Sequence, residues 1–225
     1  MKKLFLLILI SAGLTFAQSF KIDKVTGSAK ILDSKDRVID AKEGSELAPN
    51  SILVTEDNSS VKLSGYGRSF TLKESSALSI SSLKQMTLDE LLLALAMEDM
   101  INAPRKKENN NGKTTAVYGT KEGAAEKIIS SNDFGNKRLN GALQLAENGY
   151  KESAVVTSKE IFRKYPETKK KADSRIYFAN LLYDFGLYEE AYDEFISIKE
   201  LELSDNERSE VENKLSLLNK KLVNK

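Results

Sequence analysis

The hydrophobic pattern of this 225-residue chain has period two in its first part and a helical period in its last, and that change decides its fold class. Across residues 24–83 apolar side chains recur at every second position. Val25, Gly27, Ala29 and Ile31 share one face of an extended chain, while Thr26, Ser28 and Lys30 share the other. The alternation returns in Val61 and Leu63, in Phe70 and Leu72, and in Leu78 and Ile80. Turn formers separate the runs: residues 33–36, Glu43 with Gly44, Pro49 with Asn50, Asp57 with Asn58, and Gly65-Tyr66-Gly67. This pattern predicts about six short antiparallel strands in a small sandwich or roll, one face of each sheet being buried. Gly44 and Gly67 stand where the backbone needs angles that a Cβ would resist. From Asn136 onward the apolar spacing becomes helical. The expected class is α+β and multidomain: an N-terminal antiparallel β unit, then α-helical hairpins closed by a capping helix.

Composition narrows the chemistry. The chain has no His, no Cys and no Trp. A Ser-His-Asp triad, a cysteine nucleophile, a thiolate or imidazole zinc site and a disulfide are all excluded. No cofactor and no metal site are expected. Lys and Arg number 34 against 33 Asp and Glu, which argues against a nucleic-acid partner held by a broad basic face.

The first residues read as an address. Lys2 and Lys3 precede an apolar stretch from Leu4, and Thr15-Phe16-Ala17 offers small residues at a cleavage site. The apolar run is about 14 residues, short of the roughly 20 that span a bilayer. Residues 1–17 are therefore expected to be a signal peptide cleaved after Ala17. The mature chain is expected in the periplasm or outside a bacterial cell, with no stable membrane insertion.

The wording of the β unit carries a resemblance. Val25-Thr26-Gly27-Ser28-Ala29-Lys30-Ile31 is followed by Gly44-Ser45-Glu46-Leu47, Ile52-Leu53-Val54-Thr55 and Val61-Lys62-Leu63. Gly67-Arg68-Ser69-Phe70-Thr71-Leu72 and Ser76-Ala77-Leu78-Ser79-Ile80 close the series. In order and spacing this resembles the FecR domain over about residues 20–83, extending to 120 if a strand at 115–120 returns to it. The family includes exported regulators that relay iron-transport signals, and many other envelope proteins. Its signal regulators carry a cytoplasmic segment ahead of a membrane helix; here only Met1-Lys2-Lys3 precede the apolar run. A signal-relay regulator with an uncleaved N-terminal anchor is thus held as an alternative.

Thr87 and Glu90 form a capping box for a helix over 87–101. Leu88, Leu91, Leu92 and Leu95 line one face, widened by Leu93 and Met97, and this stripe predicts a helix docked on the β unit, which then spans 18–101. Residues 102–136 read as a linker, with a possible strand at 115–120.

Residues 137–225 repeat internally. Ala142 and Ala179, Leu145 and Leu182, Gly149 and Gly186, and Ala154 and Ala191 all stand 37 residues apart. Small residues allow two helices to approach, the glycines break the chain between them, and Pro166 ends the second helix. This is similar to the tetratricopeptide repeat, whose period is about 34, with the extra residues near 168–171. Ser204 and Glu207 form a second capping box, and Val211, Leu215 and Leu218 give the last helix its apolar stripe. The resemblance implies a groove lined by the first helix of each repeat. Its candidate partner-binding residues are Gln144, Asn148, Arg175, Asn180 and Asp184, taken as non-core positions.

Other motifs are weak. Ser81-Ser82-Leu83-Lys84, Lys113-Thr114-Thr115 and Ser204-Asp205-Asn206 imitate penicillin-recognising enzymes in the wrong order. The sequon at Asn58 reads as a turn. Asp184, Glu189, Glu190, Asp193 and Glu194 suggest a solvated helix face, and an envelope hydrolase working through paired carboxylates is only a second alternative. The expected function is that of a non-catalytic envelope adaptor that binds another protein.

Overall fold

The structure, a computed structural model, describes residues 19–35, 37–102 and 132–223. The expected signal peptide and the expected strand at 115–120 lie outside these. Gly27 divides what reads in the sequence as one alternating run. β1 (Phe20–Thr26) ends before it and β2 (Ala29–Leu32) begins after it, in a different sheet. Gly27 has φ +73°, and a Cβ there would lie 2.4 Å from Ser59 Oγ, so only glycine makes this crossover.

The remaining strands are β3 (Val38–Asp40), β4 (Glu46–Leu47), β5 (Ile52–Thr55), β6 (Ser60–Gly65), β7 (Arg68–Leu72) and β8 (Ser76–Ser79). They form two antiparallel four-stranded sheets, ordered β4-β1-β6-β7 and β3-β2-β5-β8. Among the described residues eight strands replace the six or so expected: the split at Gly27 adds one, and β3 and β4 are too short to show a period.

In the first sheet Ile22 pairs with Leu63, Leu63 with Phe70 and Val61 with Leu72, all pointing inward, while Lys21, Lys62 and Thr71 are exposed. In the second sheet Ile31, Leu53 and Leu78 point inward and join the same core. Burying each such side chain is worth roughly 1.5–3 kcal/mol. The outer face of the second sheet is also dry. Leu32, Val54 and Ala77 form a buried cluster with Phe134, flanked by Tyr165. This sheet is therefore the middle layer between the first sheet and the helices.

Among the described residues six helices follow: α1 (Leu88–Asn102), α2 (Asn132–Glu147), α3 (Lys151–Lys164), α4 (Ala172–Asp184), α5 (Tyr188–Lys199) and α6 (Asp205–Val223). Residues 132–136, expected in a linker, are the first turns of α2. The reason is Phe134, which is 1% exposed and completes the second sheet's outer cluster. Further along α2, a Cβ on Gly141 would lie 2.2 Å from Ala77 O, so the helix rests on the β8 backbone.

α1 packs on α3 rather than chiefly on the β unit. Its capping box is in place: Thr87 N donates to Glu90 Oε2 at 2.9 Å, and Glu90 N to Thr87 Oγ1 at 3.2 Å. Of the expected stripe only Leu91 and Leu95 are buried; Leu88, Leu92, Leu93 and Met97 are exposed. One neighbouring helix covers one line of side chains, not a broad face.

The 37-residue offset recurs in space. Ala142 and Ala179, Ala154 and Ala191, and Ile161 and Ile198 are all fully buried. Gly149 and Gly186 have φ of +84° and +79° at the turns that end α2 and α4. Tyr150 N donates to Leu145 O at 2.9 Å, and Leu187 N to Leu182 O at 3.0 Å. The extra residues form a short 3-10 turn, Pro166–Lys170. Ser204 and Glu207 cap α6, which buries Val211, Leu215 and Leu218.

Candidate functional site

The surface expected to receive a partner is the side of α2 and α4. At α2 that surface is already filled, by the protein's own second sheet. Gln144 is 7% exposed. Its Oε1 accepts from Lys73 N at 2.7 Å, and its Nε2 donates to Ser76 Oγ at 2.8 Å. Asn140 Nδ2 donates to Ser75 O at 2.8 Å, and Lys137 reaches Glu56 at 2.5 Å. Gln144 and Asn140 thereby satisfy Lys73 N and Ser75 O, backbone atoms just outside β7 and β8.

Two of the five expected positions are therefore corrected. Gln144 and Arg175 are not surface residues. Arg175 is 7% exposed, and its guanidinium donates to Glu194 Oε2 at 2.8 Å and Ser197 Oγ at 3.0 Å. It locks α4 to α5. The other three are more accessible. Asn148 is exposed, and its Nδ2 donates to Gln144 O at 2.7 Å. Asp184 is exposed at the end of α4. Asn180 is half-buried; its Nδ2 donates to Glu210 on α6 at 2.8 Å, while its buried Oδ1 has no partner among the described residues.

On the opposite side, α1, α3 and α5 enclose a charged cleft of about 250 Å³. Glu194 sits in its wall between two cations, with Lys159 at 2.5 Å and Arg175 at 2.8 Å. Burial would raise the Glu194 carboxyl, but these two cations outweigh it and hold the group below its ordinary range. Across the cleft Arg163 makes a two-pronged contact with Glu98 at 2.8 and 3.3 Å. This network went unseen in the sequence because Arg163 and Glu98 are 65 residues apart and Lys159 and Glu194 are 35. No sequence period links them.

Chemically, Glu194 serves the ion pairs of this cleft. A general acid needs a raised pKa, and Glu194 is moved the other way. Glu160 is also lowered: burial opposes it, but hydrogen bonding from Lys164 and the charge of Arg138 prevail. The penicillin-enzyme look-alikes have structural duties. Ser81 Oγ lies 2.9 Å from Ser79 Oγ, Lys84 pairs with Glu90 at 2.7 Å, and Ser204 caps α6. Lys113, Thr114 and Thr115 lie outside the described residues. Asn58, at φ +53°, forms a left-handed turn after β5. Among the described residues, no group of three or more His, Cys, Asp or Glu is placed to hold a metal ion, and no helix is long and apolar enough to cross a membrane.

No family model matches the chain, and neither a curated protein nor a solved structure matches it.

Proposed function

We propose that this protein is a non-catalytic adaptor of the bacterial envelope, exported by its N-terminal residues, which binds another protein through its helical hairpins. On this reading the β unit is a FecR-like domain and the hairpins are tetratricopeptide-like. The observation that carries the reading is the spatial repeat. Equivalent alanines, glycines and turn hydrogen bonds recur in α2–α3 and α4–α5, the arrangement by which stacked hairpins build a binding surface. The first hairpin spends its α2 face on the second sheet. The partner surface is therefore the α4 side, with Asp184, Asn180 and the partly exposed Tyr177, bordered by Asn148.

The test is site-specific photo-crosslinking in exporting cells. A probe at Asp184 should give a discrete adduct with one protein, and a probe at exposed Lys62 on the first sheet should not. Asp184→Lys should remove capture by a neighbouring probe at Tyr177 without lowering the melting temperature, because exposed substitutions move stability by only about 0.5 kcal/mol. Equal adducts from both probes would set the reading aside.

A further inference from the structure

A second cleft, of about 550 Å³, opens where the β6–β7 hairpin faces the start of α3. Its volume falls in the range of roughly 300–1,000 Å³ typical of small-ligand sites. Phe20, Leu47, Ile80, Leu83 and Tyr150 form its walls, and each is buried in the fold. Local geometry keeps it open. Gly65 pairs with Arg68 across a two-residue turn, with Tyr66 and Gly67 at φ +55° and +72°, the tight turn suited to twisted hairpins. A Cβ on Gly65 would come within 2.7 Å of the Phe20 ring, so glycine lets that ring lie against the hairpin backbone.

The charges are one-sided. Among the described residues no Asp or Glu lines the cleft, whereas Arg68 and Lys84 both do. Lys84 is neutralised by Glu90 at 2.7 Å. Arg68 makes no ion pair among the described residues. Its guanidinium carbon sits 5.8 Å from the centre of the Tyr150 ring, which is itself edge-on to Phe70 at 6.2 Å. Such a contact holds the guanidinium in place while leaving its hydrogen-bonding edge available. The charged cleft between α1, α3 and α5 differs: three of the cations that line it, Arg163, Lys159 and Arg175, are matched by carboxylates.

We propose that this cleft binds a small amphipathic carboxylate, with the anionic head on Arg68 and an aliphatic body among Phe20, Leu47, Ile80 and Leu83. A guanidinium receives a carboxylate through paired N–H donors. The buried walls then reward each added methylene.

The test is calorimetric titration of the full chain with octanoate, decanoate and dodecanoate below their micellar concentrations, and with octanol as the uncharged control. Saturable one-to-one binding is expected, tightening about fourfold per methylene. Octanoate should bind about tenfold more tightly than octanol. Arg68 is exposed, so its variants should retain the fold. Arg68→Ala should erase the preference for carboxylate over alcohol, and Arg68→Glu should transfer it to decylamine. Three results would overturn the proposal: no saturable binding, equal affinity for octanol and octanoate, or a preference unchanged by Arg68→Ala.

Discussion

The two sheets share a core but live in different surroundings. The first has one wet face: in β6 and β7, Val61, Leu63, Phe70 and Leu72 are buried while Lys62 and Thr71 face solvent. The second is dry on both faces in its inner strands β5 and β8: adjacent residues Leu53 and Val54, and likewise Ala77 and Leu78, are all buried. Adjacent strand residues point to opposite sides, so burial of both means that something covers each side. Here the first sheet covers one side and α2 the other. A clean alternation marks an outer layer, and a continuous apolar run marks a middle one.

The largest test of that contrast is a charge at matched outward positions. Val54 is 2% exposed beneath α2, and Lys62 is open. Val54→Asp buries an unpaired carboxylate and should cost about 3–5 kcal/mol or prevent folding. Lys62→Asp should stay within about 0.5 kcal/mol. Urea titration of both variants measures the ratio.

Phe134→Ala comes next. It empties the apolar cover of the second sheet, and a loss of about 3–5 kcal/mol is expected if the site cannot collapse. The same urea titration reads it, and helix content of the refolded variant by circular dichroism shows whether α2 still forms.

Gln144→Ala should cost less, about 1–3 kcal/mol, because it leaves Lys73 N without its partner, while Ser76 Oγ keeps its bond to Glu74 O. Amide hydrogen exchange at Lys73 should quicken. An unchanged rate would mean that the α2 seam does not depend on this side chain.

Away from the sheets, the α4–α5 lock should respond to acid. Glu194 titrates below its ordinary value of 4.5 in the folded chain. The folded state therefore binds that proton less readily than the unfolded one. Its stabilising share is complete above the unfolded value and is lost as pH falls through the lower folded one. Glu194→Gln should flatten this part of the acid-stability curve, measured by melting temperature against pH. Its effect is the smallest expected, because the carboxylate's burial offsets much of its pairing with Lys159 and Arg175.

How far these features could be read from the chain follows the same division. The first sheet's alternation, both capping boxes and the 37-residue repeat are local patterns, and local physics sets them. Gly27 misled because a Gly within an alternating run keeps the period while turning the backbone. β3 and β4 have three and two residues, too few to show any period. Gln144 and Arg175 read as surface residues because polar side chains mostly are. Their burial depends on partners such as Lys73, which is 71 positions away from Gln144. The cleft beside Arg68 was likewise out of reach, since its walls come from β1, β4, β7 and the start of α3.

Because the second sheet packs on the first sheet and on α2, sandwich and hairpins should unfold as one cooperative unit. Differential scanning calorimetry of the full chain, with Phe134→Ala alongside, measures this. A single transition is expected, with calorimetric and van't Hoff enthalpies equal, and the variant should lower it as a whole. Two separate transitions, only one of them moved by Phe134→Ala, would contradict the account.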